Sequence, residues 1–145
     1  MSGLDPVLRQ IVLGHEAETD HGSAAAKSRR QAVMAMHESG ALRSAADQHA
    51  AASVLVCSEV AAEVQAAQAL ALAAMPALRC ARVLAATAYD RQRRLAGEPQ
   101  KFGTQVVVRD GVRELWPVDP HTTDSERAKW DVPPFAEILR SLDRP

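Results

Sequence analysis

The sequence predicts a mainly α-helical fold: an antiparallel α-hairpin array of about five helices with a small C-terminal β-hairpin and a short terminal helix. Three observations predict it. Capping residues stand ahead of apolar positions at helical spacing. Of 28 alanines, 24 lie between Ala24 and Ala88, in the stretch that carries those helical signals. An Asp110-Gly111 pair separates two Val-containing runs near the C-terminus, the pattern of a two-residue β-turn.

The elements follow in order. Asp5-Pro6 starts a first helix, with Asp as N-cap and Pro where its missing N–H costs nothing. Leu8, Ile11, Val12 and His15 follow at helical spacing, and Gly14 with the polar run through Gly22 ends that helix within about a turn. Ser23 caps a second helix carrying Ala26, Val33 and Met34, ending near Ser39-Gly40. A third covers residues 41–57, and a fourth runs from after Ser58 to Met75. Pro76 suits the first turn of a fifth, which reaches Ala96 and stops at Gly97. Beyond Glu98-Pro99, Thr104 to Arg109 and Val112 to Trp116 form the hairpin. Asp124 is expected to cap a short helix, Pro133-Pro134 breaks it, and Phe135 to Leu142 gives a last amphipathic turn or two. An isolated hairpin is marginal. Residues 1–145 therefore read as a single helical domain, with 98–145 as a hairpin-and-tail strap.

Composition narrows the function. There are 17 Lys+Arg against 18 Asp+Glu, a formal net charge of −1, and only five aromatic residues. Neither a nucleic-acid nor a membrane partner is expected. No signal peptide or transmembrane span is read, and Cys57 and Cys80 read as reduced core thiols, so the expected location is cytoplasmic. Arg outnumbers Lys 14 to 3, which with the alanines suggests a GC-rich bacterial genome. An Ala-rich interface also allows a homodimer, which the sequence leaves undecided.

Polar residues on apolar faces supply the candidate site. On the fifth helix, Arg91 falls with Leu84 and Leu95, whereas Asp90 falls with Arg79, Arg82, Arg93 and Arg94 on the other side. Gln68 lies with Val64, Leu72 and Met75, and His49 with Leu42, Ala45 and Val56. A buried guanidinium must be paired or reach an opening. A metal is not expected. His15, Glu16, Glu18, Asp20 and His21 read as a solvated loop, and Glu59 and Glu63 as carboxylates on an exposed face. Neither cysteine stands in CxxC or CxxH spacing.

The most specific signal is Asp90-Arg91 followed by Gly97-Glu98-Pro99-Gln100-Lys101-Phe102-Gly103-Thr104-Gln105. It resembles the signature of an uncharacterised bacterial family of small proteins, a domain of unknown function. In that signature an Asp-Arg pair ends a helix and Gly-x-x-Gln-x-(Tyr or Phe)-Gly-Thr-Gln follows. Weaker similarity extends upstream through the Ala-rich helices and downstream through Asp119-Pro120 and Ser125-Glu126-Arg127. Members of that family often carry histidines near the positions held here by Cys57-Ser58 and Gln68. The resemblance therefore implies that an activity resting on those histidines is lost or altered in this chain.

Two accounts of the motif are open. In one, it is a structural latch: Asp90 and Arg91 hydrogen-bond the loop and lock the hairpin onto the helices. In the other, Arg91, Gln68, Gln100, Thr104 and Gln105 bind a small polar or anionic ligand at the junction of helices three to five with the loop. Asp90 and His49 are then the candidate proton-transfer groups. That account covers a cofactor-independent acid–base enzyme (cyclase, isomerase, lyase or hydrolase) of bacterial small-molecule metabolism. The latch account covers a non-catalytic interaction or accessory protein.

Overall fold

A computed structural model describes residues 3–144. Its described elements are α1 (Pro6–Ala17), α2 (Ala24–Glu38), α3 (Ala45–Leu55), α4 (Ala61–Ala74), α5 (Ala81–Leu95), β1 (Val106–Arg109), β2 (Val112–Leu115), α6 (Asp124–Lys129) and α7 (Phe135–Ser141). The fold is mainly helical, with one antiparallel two-stranded hairpin, as the sequence predicts. Among the described residues no helix is long and apolar enough to cross a membrane.

Local chemistry sets the boundaries. The Asp5 carboxylate accepts from the N–H groups of Val7 and Leu8, and Ser23 Oγ accepts from Ala26 N–H. α1 continues through Gly14 to Ala17. The third helix starts at Ala45, later than the sequence suggests, because Ser44 Oγ takes the Asp47 N–H at 3.0 Å and fixes the start there. Pro76 does not open the fifth helix; turns occupy residues 76–80. Thr123, not Asp124, is the N-cap of α6, and Asp124 instead accepts from Phe135 N–H and Arg127. In the β1–β2 turn, Asp110 and Gly111 take φ of 52° and 77°, the left-handed pair that matches the twist of a tight hairpin.

α4 packs between α3 and α5, and α1 and α2 lie against α3. The faces that meet are largely alanine: Ala51, Ala52, Ala67, Ala71, Ala81 and Ala88 are buried, and such small side chains let helix axes come close. Leu8, Val33, Val54, Leu55, Val64 and Leu70 fill the remaining core. A second, smaller core of Ala86, Phe102, Val132 and Ile138, flanked by Tyr89 and Trp130, seats the C-terminal segment on α5. Cys80 is exposed rather than a core thiol, because it sits at the turn where α5 begins.

Candidate functional site

The motif forms a dense hydrogen-bonded loop. Asp90, in the last turns of α5, has no solvent exposure, contrary to its expected place on the polar side of the helix. The loop after α5 covers it. Asp90 Oδ1 accepts from the N–H groups of Lys101 (2.8 Å) and Phe102 (3.0 Å), and Oδ2 from those of Gly103 (3.1 Å) and Thr104 (3.1 Å). Thr104 Oγ1 adds a fifth bond at 2.8 Å. Four consecutive amides aimed at one carboxylate make an anion-binding concavity whose anion is supplied by the chain itself.

Gln100 is equally enclosed. Its Nε2 donates to the carbonyls of Gln105 (2.9 Å) and Trp116 (2.7 Å), and its Oε1 accepts from Gln105 N–H at 2.7 Å. The side chain thus acts as a strand partner that closes the 100–105 loop. Gly103 takes φ of +107°, and a Cβ there would lie 3.1 Å from Ile138 Cδ1. Arg127, buried, donates to the Phe102 carbonyl at 2.7 Å and ties α6 to the same loop. Gln105 is buried and accepts from Arg94 Nε at 3.2 Å.

The remaining candidates do not gather at one place. His49 is half-buried on α3 and lines neither opening described below. Arg91 spans to the α3–α4 connection. It donates to the carbonyls of Ser58 (2.6 Å) and Cys57 (3.1 Å) and pairs with Glu59 at 2.8 Å. Burial pushes its guanidinium below the usual arginine range, and Glu59 opposes that shift. Glu63 is buried rather than exposed, because Arg30 (2.9 Å) and Ser58 Oγ (2.5 Å) both bond its Oε1.

Two openings hold residues singled out in the sequence, Gln68 in one and Arg91 in the other. A cleft of about 260 Å³ lies between α4, α5 and the motif loop, walled by Gln68, Leu72, Tyr89, Lys101, Phe102 and Trp130. Gln68 Oε1 accepts from Gln92 Nε2 at 2.6 Å, which orients the amide on the cleft wall. The second opening, about 410 Å³, has His21, Arg30, Cys57, Glu59 and Arg91 on its walls. Beside it His15, at the end of α1, meets His21 and Cys57: the two rings are 5.0 Å apart and His15 Nε2 is 3.9 Å from Cys57 Sγ. The expected solvated loop is instead a partly buried cluster. Its cause is the knot of residues 18–23, where Glu18 accepts from Asp20 N–H and Ser23 Oγ, and Asp20 from Gly22 N–H. That knot folds His21 back onto His15. Sequence reasoning missed the cluster because its third member lies 42 residues from His15.

Comparison with protein-family models, with curated proteins and with solved structures finds no match for the chain.

Proposed function

We propose that the protein binds a small ligand with a flat apolar body and a polar or anionic head in the cleft between α4, α5 and the motif loop. The observation that carries this reading is the cleft wall itself. Tyr89, Phe102 and Trp130 offer ring surface, while Gln68 and Lys101 supply an amide and a cation at the same opening. A mostly apolar concavity with a few polar groups is the usual build of a small-molecule site. The loop that forms one wall is held by the five bonds to Asp90, so its shape precedes any ligand.

In this reading the Asp90–Gln105 signature is the latch that builds the wall, and its resemblance to the bacterial signature is understood in those terms. Asp90 serves as the acceptor, Gln100 as a strand-like partner, and Gly103 supplies the positive φ. The acid–base enzyme reading loses support, since both Asp90 oxygens are engaged and His49 stands apart from the cleft. Binding without catalysis is the better reading, in a bacterial cytoplasm on the strength of composition.

The test is a titration of the Trp116→Phe protein with benzoate, read by Trp130 fluorescence. Saturable quenching is expected, with affinity falling about tenfold in Lys101→Met, the equivalent of about 1.4 kcal/mol. Absence of saturable change with benzoate and with benzamide at millimolar concentration overturns the reading.

A further inference from the structure

We infer that His15, His21 and Cys57 form a binding site for a zinc-type divalent cation, with a fourth coordination position open to the cavity lined by Arg30, Glu59 and Arg91. This inference is independent of the α4–α5 cleft. The three side chains come from the end of α1, the α1–α2 connection and the start of the α3–α4 connection. Their ligand atoms all lie within 4.8 Å of one another, with His15 Nε2 already 3.9 Å from Cys57 Sγ. Metal–ligand bonds of about 2.0–2.3 Å in a tetrahedron place ligand atoms about 3.3–3.6 Å apart. Small side-chain rotations therefore complete the site.

A second observation points to a ligand. His21 Nδ1 is buried with no hydrogen-bond partner, the one such side-chain atom among the described residues. A buried ring nitrogen left unpaired is costly, and a cation coordinated by that nitrogen would remove the cost. The surroundings hold the ligands in place. Arg30 Nη1 donates to the His21 carbonyl at 2.7 Å, and Arg91 holds the Cys57 carbonyl at 3.1 Å. These bonds fix the backbone that carries two of the three ligands.

The donor set selects the metal. Two imidazoles and one thiol suit zinc and disfavour magnesium and calcium, which take oxygen ligands. On binding, the Cys57 S–H bond breaks, its proton leaves to solvent, and the sulfur lone pair forms the metal bond; both imidazoles bind neutral. Arg30 is paired with Glu63, and Arg91 shares Glu59 with Arg94, so the carboxylates offset part of the positive charge beside the cation. Because His21 and Cys57 both line the 410 Å³ cavity, the fourth position faces it, and a water or an anionic group completes the shell there.

The test uses the full chain stripped of metal, with Co²⁺ as the spectroscopic probe and Zn²⁺ as competitor. One equivalent of Co²⁺ is expected to give a thiolate-to-cobalt charge-transfer band and intense tetrahedral visible bands, both displaced by Zn²⁺ but not by excess Mg²⁺. Cys57→Ser should abolish the charge-transfer band, and Cys80→Ser should retain it. His21→Ala, with its helical circular dichroism intact, should weaken Zn²⁺ binding by at least the roughly 10–100-fold that loss of an outer-shell partner alone produces. A wild-type chain with no such band, or a band that survives Cys57→Ser, overturns the inference.

Discussion

Thr104 grips Asp90 twice, its backbone N–H at 3.1 Å and its hydroxyl at 2.8 Å meeting the same carboxylate oxygen. The residues are 14 apart in sequence, so this contact joins the end of α5 to the segment that enters the hairpin. Removing the acceptor leaves several buried donors unpaired at once. Asp90→Ala should cost about 3–5 kcal/mol in urea denaturation, whereas Thr104→Val, which keeps the backbone bond, should cost about 1–2 kcal/mol. Equal small losses in the two variants would contradict the latch.

Gly103 is the position where the loop has no room for a side chain. Gly103→Ala combines a positive φ with a contact of 3.1 Å to Ile138 Cδ1, and should destabilise by about 1–3 kcal/mol. Ile138→Val removes that methyl group. The double variant should therefore lose less stability than the two single losses added together, which a thermal or urea double-mutant cycle reads directly.

Arg30 and Glu63 form a nearly buried ion pair at 2.9 Å, with side-chain exposures of 9% and 12%. Desolvated pairs are costly to break on one side and cheaper to replace as a pair. Arg30→Met should destabilise by about 3–5 kcal/mol, and Arg30→Met with Glu63→Leu should recover much of that loss. Two variants of equal stability would show that the pair's mutual attraction is unimportant.

The Arg79–Asp131 contact is bidentate, 2.9 and 3.0 Å, but exposed to solvent. Arg79 holds the Asp131 carboxyl below its usual value of 3.8. A carboxyl whose folded pKa is lowered contributes stability that is fully present above the unfolded value and lost as pH falls through the folded one. Asp131→Asn should therefore be slightly less stable than the parent at neutral pH. That gap should close below pH 3.8 and also shrink in high salt. Circular dichroism melts across pH are the measurement, and a gap that persists in acid contradicts the assignment.

The helical architecture was legible because its signals are local. Asp5 and Ser23 announce their helices, and Asp110-Gly111 can hardly do anything but turn. Boundaries slipped where two neighbours competed, as Thr123 did with Asp124, or where Pro76 was compatible with a helix start that the turns at 76–80 displaced. The site was less legible. A helical wheel puts Asp90 beside Arg79 and Arg93 and so predicts exposure, since the wheel cannot see the later segment that covers it. Arg91's place on an apolar face does signal a need for partners, but the two carbonyls and the Glu59 carboxylate that meet it lie on another connection, invisible to spacing. The His15–His21–Cys57 cluster depends on a folded-back loop and on a residue three elements away. No local pattern encodes that meeting.

Asp90's enclosure also has a consequence for the order of events during synthesis. Helices α1 to α5 are complete before residues 101–104, which supply all five bonds to the carboxylate, have been added. Until then the end of α5 carries a charged group that stays in water, so its last turns have reason to fray. Emergence of a four-residue stretch converts that open charge into the fastening of the C-terminal segment. A nascent chain paused before Thr104 should therefore be a softer target for proteases at α5 than one paused beyond the hairpin.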